Sequence, residues 1–158
     1  MKHIIIIDDV FTMEEYETII RNDLTMKPSL FNGKIDTDRN SKQCNYFNEN
    51  IANLLLLKVK KVLPEVININ PCLRYITYDI DGFFKLHYDE QIMLNGILSK
   101  YTVIYYINTC DGHTIITDDN FNKHTIDNIK NRLLIFHQDL EHEGYNKDIK
   151  HIIRTDAF

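Results

Sequence analysis

The chain has 158 residues, with 18 Lys and Arg residues against 23 Asp and Glu residues and a formal net charge of −5. Hydrophobic residues make up 44% and charged residues 26%, which is ordinary for a soluble globular protein. No run of Lys or Arg is present, so the basic surface of a nucleic-acid-binding protein is not indicated. The length is enough for one hydrophobic core, and we expect a single domain over residues 1–158.

The cysteines and the N-terminus suggest where the protein resides. Cys44, Cys72 and Cys110 are scattered and odd in number, and no Cys-x-x-Cys pair occurs, so neither a zinc knuckle nor a disulfide framework is indicated. Scattered free thiols suit a reducing compartment. The isoleucine run at 4–7 is too short for a signal peptide core or a membrane span. The sequence therefore predicts a cytoplasmic protein that does not bind membranes.

The first half of the chain predicts one strand and two helices. A β-branched run at 4–10 predicts a buried strand, and Thr12 with Glu15 forms a capping box that begins a helix. The polar segment 23–45 predicts a loop or a ragged hairpin. A second helix is expected over 51–63, just before Pro64.

The second half of the chain has the pattern of a β-protein, with about eight short strands and turns roughly every eight to twelve residues. A loop is expected at 90–100. The strands are predicted at 66–69, 73–78, 83–88, 101–107, 114–117, 124–126, 132–136, 140–144 and 150–158. The expected fold is mostly β: a double-stranded β-helix (jelly roll) with N-terminal helices packed on one sheet, an α+β arrangement.

A histidine and a carboxylate form the most informative pair in the sequence. His87 and Asp89 lie two residues apart on one predicted strand, so their side chains point to the same side. Taken alone, such a pair most often consists of two surface residues. A third ligand would complete the 2-His-1-carboxylate set of non-haem Fe(II) oxygenases, which leaves positions open for cosubstrate and oxygen. His142 is the best candidate, and His137 and His151 are the alternatives.

A series of further motifs runs along nearly the whole chain, and their order and spacing matter more than any one of them. In chain order they are residues 5–15, Arg39-Asn40-Ser41, residues 73–78 with Gly82 and Phe84, His87-Tyr88-Asp89, residues 102–108, Asp111-Gly112-His113-Thr114, residues 133–136, His142-Glu143-Gly144, Lys150, and Arg154-Thr155-Asp156. Together they resemble the prolyl 4-hydroxylase family of Fe(II)/2-oxoglutarate dioxygenases.

This resemblance implies a set of cofactors and the residues that bind them. Fe(II) would be held by His87, Asp89 and His142, with no catalytic side chain beyond these ligands. The cosubstrates would be 2-oxoglutarate and O2, with ascorbate as the reductant. Lys150 matches the family's lysine for the distal carboxylate of 2-oxoglutarate, and Arg154, on the same strand face, is the alternative.

The resemblance also extends to the walls of the pocket and to the substrate. Tyr78 and Tyr106 match family tyrosines near the cosubstrate, and Thr102, on the same side as Tyr106, is expected to line the pocket. The implied activity is hydroxylation of a prolyl residue in a peptide or protein. Because the chain is short, we expect the groove above the iron to be bordered only by the segments 23–45 and 90–100. Two alternatives stay open: the same chemistry on another side chain or a small molecule, and a non-enzymatic jelly roll that binds a metal.

Overall fold

Two antiparallel sheets dominate the computed structural model, which describes residues 2–158. Within that range the elements are β1 (Ile4–Ile7), α1 (Met13–Ile19), β2 (Lys27–Pro28), β3 (Leu30–Phe31), β4 (Lys34–Ile35), β5 (Ser41–Phe47), α2 (Glu49–Val59), β6 (Cys72–Tyr78), β7 (Phe83–His87), β8 (Met93–Leu94), β9 (Ile97–Leu98), β10 (Tyr101–Tyr106), β11 (Gly112–Thr117), β12 (Lys123–Asp127), β13 (Arg132–His137), β14 (His142–Asn146) and β15 (Lys150–Ala157).

The larger sheet has seven strands in the order β1-β13-β10-β15-β6-β5-β2, and the smaller has four in the order β12-β11-β14-β7. The short pairs β3–β4 and β8–β9 form separate hairpins. Most neighbours in each sheet are distant in sequence, so the chain crosses repeatedly between the sheets. The predicted fold class is confirmed: the protein is mostly β, with the jelly-roll arrangement of strands.

Each face of the seven-stranded sheet packs on its own hydrophobic cluster, because side chains alternate along a strand. On β10, Ile104 and Tyr106 face the four-stranded sheet, where they pack with Ile116 of β11. Val103 and Tyr105 face the other way, into the cluster that contains the helices. The N-terminal helices therefore pack on one sheet, as predicted.

Both helices begin at a polar cap. The Thr12 hydroxyl accepts a hydrogen bond from the amide of Glu15 at 3.2 Å, as the capping box predicts, and Asn48 does the same for Ile51 at 2.9 Å. The second helix spans Glu49–Val59, so the predicted range of 51–63 was wrong at both ends. Asn48 starts it earlier. Beyond Val59 the chain continues in turns, with hydrogen bonds from the amides of Lys61 and Val62 to the carbonyls of Lys58 and Val59, so the regular helix ends well before Pro64. Within residues 2–158, no helix is both long and apolar enough to cross a membrane.

Two strand predictions and the loop prediction at 90–100 also need correction. The predicted strand at 66–69 is absent; the segment lies between Pro64 and Pro71 and makes one isolated bridge, from Ile69 to Ala157. The first strand ends at Ile7 rather than at residue 10. The segment 23–45, predicted as a loop or a ragged hairpin, contains the hairpin of β3 with β4 together with β2 and the start of β5, whereas 90–100, predicted as a loop, contains the hairpin of β8 with β9.

Candidate metal centre

The three predicted metal ligands come together between the two sheets. β7 and β14 are neighbouring strands, and their register places His87 directly opposite His142. Nε2 of His142 lies 3.4 Å from Oδ2 of Asp89, and Nε2 of His87 lies 3.9 Å from Oδ1 of the same carboxylate. One ligand atom from each residue falls within 4.8 Å of the others, a spacing that a single metal ion can bridge.

Asp89 reaches this cluster from just beyond the end of a strand. The prediction that it lies on the same strand as His87 was wrong, because β7 ends at His87. Its carboxylate is anchored from the larger sheet instead: Thr102 Oγ1 donates a hydrogen bond to Oδ2 at 2.5 Å, and Arg154 Nη2 lies 3.3 Å from the same oxygen. These two contacts fix the carboxylate opposite the imidazoles.

Backbone contacts orient both imidazoles toward the cluster. Nδ1 of His87 lies 2.6 Å from the carbonyl of Lys85, and Nδ1 of His142 lies 3.1 Å from the carbonyl of Leu140. A carbonyl only accepts, so Nδ1 donates in each ring and Nε2 keeps a free lone pair. Nε2 of His87 is buried and has no hydrogen-bond partner. The donor set therefore fits a divalent transition metal, which would satisfy this orphaned atom.

The charge states also favour a metal. Burial, followed by the neighbouring His142, lowers the pKa of His87 to about 4, so the ring is neutral at pH 7. Burial alone would raise the pKa of Asp89, but Arg154, His142 and the Thr102 hydrogen bond together hold it below its usual range. Neutral imidazole and ionised carboxylate are the forms that coordinate metal ions.

The guanidinium of Arg154 contacts two acidic residues. Besides its contact with Asp89, its Nη1 donates to Oδ1 of Asp156 at 2.6 Å. Asp156 is itself buried and accepts further hydrogen bonds from Asn70 and Gln138, at 3.1 and 2.8 Å. Arg154 thus lies between two carboxylates, one of which is a candidate metal ligand.

Lys150 lies on the same face of β15 and has no such partners. Its side chain is only 4% exposed, and Nζ lies 5.4 Å from the ring centre of Tyr78 and 5.5 Å from that of Tyr106. Among residues 2–158, no carboxylate oxygen lies within 4.0 Å of this ammonium. Burial lowers the pKa of Lys150 to about 8. A buried cation without an anion is costly, and an incoming carboxylate would relieve that cost.

The other expected pocket residues lie in or near the same cavity. Tyr78 lines it, and burial raises the pKa of Tyr78 to about 12. The Tyr106 hydroxyl hydrogen-bonds to Thr114, another lining residue, at 2.7 Å. The Thr102 hydroxyl is occupied by Asp89. That Tyr78, Tyr106 and Thr102 contact a cosubstrate stays a prediction.

The alternative third ligands lie elsewhere. Nδ1 of His137 lies 2.6 Å from Oδ1 of Asp139, and Nδ1 of His151 lies 2.9 Å from the hydroxyl of Thr77. Neither histidine belongs to the His87–Asp89–His142 cluster.

Two arginines that the sequence analysis did not single out as binding residues also line the cavity. Arg39 lies 2.9 Å from Asp36, and its guanidinium covers the Phe84 ring at 4.9 Å. That ring stacks on the imidazole of His87 with the ring centres 3.5 Å apart. Arg74 lies on β6, opposite Arg154. The isolated bridge between Arg39 and Phe84 brings the segment 23–45 to the edge of the site.

Comparisons with known proteins identify the fold. No protein-family model and no curated protein matches the sequence. Solved structures do match: a Pseudomonas putida prolyl-4-hydroxylase has a TM-score of 0.75 and 10% identity, over 99% of this chain and 92% of that one. A prolyl hydroxylase from Trichoplax adhaerens, in complex with a hypoxia inducible factor peptide fragment, has a TM-score of 0.73 and 15% identity, over 98% and 83%.

A third similar structure is the viral collagen prolyl hydroxylase of Paramecium Bursaria Chlorella virus-1 in complex with 2-oxoglutarate. Its TM-score is 0.69 and its identity 17%, over 99% of this chain and 96% of that one. The chain therefore has the jelly-roll fold of the 2-oxoglutarate–Fe(II) oxygenases, and prolyl hydroxylases are among the proteins that share it. At these identities the likeness establishes the fold.

Proposed function

We propose that the protein is an Fe(II)- and 2-oxoglutarate-dependent dioxygenase that hydroxylates a prolyl residue in a peptide or protein. One observation carries the proposal: His87, Asp89 and His142 converge at one end of a cavity that also contains the unpaired cation Lys150. The three ligands suit ferrous iron, and Lys150 suits the distal carboxylate of 2-oxoglutarate. The fold shared with 2-oxoglutarate–Fe(II) oxygenases supports the same assignment.

Each residue near the metal has a distinct task. Bound Fe(II) would supply the oxygen activation that protein side chains cannot perform, and ascorbate would keep it reduced. His87 and His142 would bind it through Nε2, with their Nδ1 atoms held by backbone carbonyls. Thr102 and Arg154 would hold Asp89 in the orientation that the metal requires.

We assign the distal carboxylate of 2-oxoglutarate to Lys150 rather than to Arg154. Arg154 already contacts two carboxylates, whereas Lys150 has none. Tyr78 lies beside Lys150 and could donate its hydroxyl hydrogen to the same carboxylate. Because Lys150 and Tyr78 are buried, water would be excluded from the carboxylate, and its contacts with both side chains would be stronger.

The proposed substrate is an extended peptide that contains proline. The segments 23–45 and 90–100 each carry a short hairpin with exposed apolar side chains, among them Phe31 and Ile35 on the first and Met93 and Leu98 on the second. Extended chains, and proline-rich ones in particular, are bound along open grooves. One protein with the same fold is seen with a peptide fragment bound.

The test compares three compounds with the iron-loaded protein: a proline-containing peptide, the same peptide with alanine in place of proline, and free proline. Succinate release and product mass are measured for each. We expect one added oxygen atom on the proline peptide alone. Oxygen added to the alanine peptide, or equal turnover of free proline, would contradict the prolyl assignment and favour another side chain or a small molecule as the target. Metal binding with no succinate release would favour a non-enzymatic metal-binding jelly roll.

A further inference from the structure

The cavity contains a second cation without an acidic partner, Arg74. Its side chain is half-buried, it lines the cavity, and among residues 2–158 no carboxylate oxygen lies within 4.0 Å of its guanidinium. Burial and the positive charges of Arg154 and Arg39 lower the pKa of Arg74, while Asp156 and Asp89, both beyond 4.0 Å, oppose that effect, and the guanidinium stays charged. An unpaired arginine among other cations is unfavourable unless something negative binds there.

The other two arginines of the cavity are paired. Arg39 lies 2.9 Å from Asp36, and Arg154 lies within 3.3 Å of both Asp89 and Asp156. These contacts leave Arg39 and Arg154 with little free positive charge.

Arg74 and Lys150 lie at opposite ends of the cavity. In the register of β6 with β15, Lys150 pairs with Tyr78 and Arg154 pairs with Arg74. Four residues along a strand separate the two levels, a distance of about 13 Å. Arg74 is therefore at the level of Arg154, which holds Asp89, and Lys150 is at the far end of the cavity. One five-carbon dicarboxylate that chelates the metal and reaches Lys150 would leave Arg74 free.

The strand beside Arg74 is exposed to solvent at the level of that residue. Asn45, which pairs with Arg74 on β5, is exposed. The next residue along the inner face of β5, Gln43, is only half-buried. This edge of the sheet can therefore admit a side chain from a bound peptide, whereas the end at Lys150 is enclosed.

The sum of the charges in the cavity also supports the binding of an anion at Arg74. With iron bound, the metal and Asp89 would together carry one positive charge, and Lys150 and Arg74 would each add another. The 2-oxoglutarate dianion would offset two of these three charges. Glu143, the remaining acidic residue of the lining, lies 3.8 Å from Lys123. One positive charge is left over at Arg74, in a protein whose net charge is −5.

We propose that Arg74 binds a carboxylate of the peptide substrate, so that the protein selects peptides with Asp or Glu close to the target residue. This inference rests on the proposed function, and it narrows the proposed substrates to peptides with an acidic residue near the target. The fork of the guanidinium suits bidentate binding of a carboxylate. Binding at Arg74 would place the neighbouring residue of the peptide beside Asp89 and the metal, which is where the reaction occurs.

The experiment uses the full chain loaded with Zn(II) and 2-oxoglutarate, to which peptides bind without turnover. The probes are nine-residue peptides with a central proline and Glu, Gln or Lys one or two positions to either side. Calorimetry measures Kd, and the iron-loaded protein is assayed in parallel for hydroxylation. We expect one Glu peptide to bind about tenfold more tightly than its Gln counterpart, the effect of one charge-assisted contact.

Variants attribute that preference to Arg74. Arg74→Gln should abolish it, Arg74→Lys should retain part of it, and Arg74→Glu should favour the Lys peptide. Lys42→Gln removes an exposed surface cation, paired with Asp79 at 3.2 Å, and should keep the preference. The KM for 2-oxoglutarate should be unchanged in Arg74→Gln, because Lys150 is intact.

The outcomes separate this inference from the proposed function. A Glu preference that depends on Arg74, without hydroxylation of proline, would support the carboxylate site and overturn the prolyl activity. Hydroxylation of all the peptides without any Glu preference would overturn the carboxylate site and leave the activity standing. A large rise in the KM for 2-oxoglutarate in Arg74→Gln would also overturn it, because Arg74 would then hold the cosubstrate.

Discussion

Lys150 and Arg154 lie four residues apart on one face of β15, yet only Arg154 contacts carboxylates, Asp89 at 3.3 Å and Asp156 at 2.6 Å. This difference in carboxylate contacts indicates different roles for the two residues. Arg154 stabilises a candidate metal ligand, and Lys150 keeps a buried ammonium free for an anion. Under the proposed function, the strand would serve the metal at one level and the cosubstrate at the other.

Removing the free ammonium should impair cosubstrate binding. Lys150→Ala leaves the distal carboxylate of 2-oxoglutarate without its cation, and losing one partner of a buried charge pair costs about 2–5 kcal/mol. We expect the KM for 2-oxoglutarate to rise about 30-fold or more. Steady-state succinate release measures this. An unchanged KM in a folded variant would show that another cation holds the carboxylate.

Arg154→Ala should act through the metal instead. The substitution removes the contact that holds Asp89 and leaves two carboxylates without their shared cation, so Fe(II) affinity and thermal stability should both fall. The KM for 2-oxoglutarate should rise less than in Lys150→Ala. Anaerobic titration with Fe(II) and a thermal melt measure these effects, and Arg154→Lys is the control that keeps the charge. A larger KM effect than that of Lys150→Ala would reverse the two assignments.

Each candidate ligand should be needed for metal binding. His87→Ala, Asp89→Ala and His142→Ala should each lose high-affinity Fe(II) binding without unfolding, because one missing ligand leaves the site incomplete. His151→Ala is the matched control, since His151 lies on the opposite face of β15 and contacts Thr77. Calorimetry and circular dichroism measure binding and folding. Retention of tight Fe(II) binding in His142→Ala would show that the third ligand lies elsewhere.

Stability should depend on pH through Lys150. Burial lowers its pKa in the folded state to about 8, against 10.5 for the ordinary group. The cost of burying the charge is therefore fully present below pH 8 and is relieved as pH rises from about 8 to 10.5, where the unfolded chain holds the extra proton. Lys150→Met should raise the free energy of unfolding at pH 7, with a gain that shrinks by pH 10. Urea titrations at both values test this; a gain that does not change with pH would contradict the assignment.

Most strands were predictable because their hydrophobic periodicity is local. The pattern around residues 101–107 predicted β10, and Leu133–Phe136 lies within β13, as expected. β5 was missed because Ser41, Gln43 and Asn45, on its inner face, pair with the pocket-lining side of β6 and are polar. A strand that borders a polar cavity lacks the apolar alternation by which strands are recognised.

The residues of the candidate site could be predicted only where they lie close together in sequence or where the chain resembles a known family. The spacing of His87 and Asp89 shows their proximity directly, whereas His142 joins them through the pairing of β14 with β7. The role of Thr102 as a donor to Asp89 and the isolation of Arg74 depend on which strands are neighbours. No local pattern encodes that, so a sequence analysis could place both residues on strands but could not find their partners.

The most direct test of the account is succinate release from 2-oxoglutarate by the iron-loaded protein, in the presence of the proline peptide and O2. We predict release by the wild-type chain that requires Fe(II) and O2, and none by Asp89→Ala at equal protein concentration. Failure of the wild-type chain to form succinate, or equal release by Asp89→Ala, would contradict the claim that this cluster is the iron site of a 2-oxoglutarate dioxygenase.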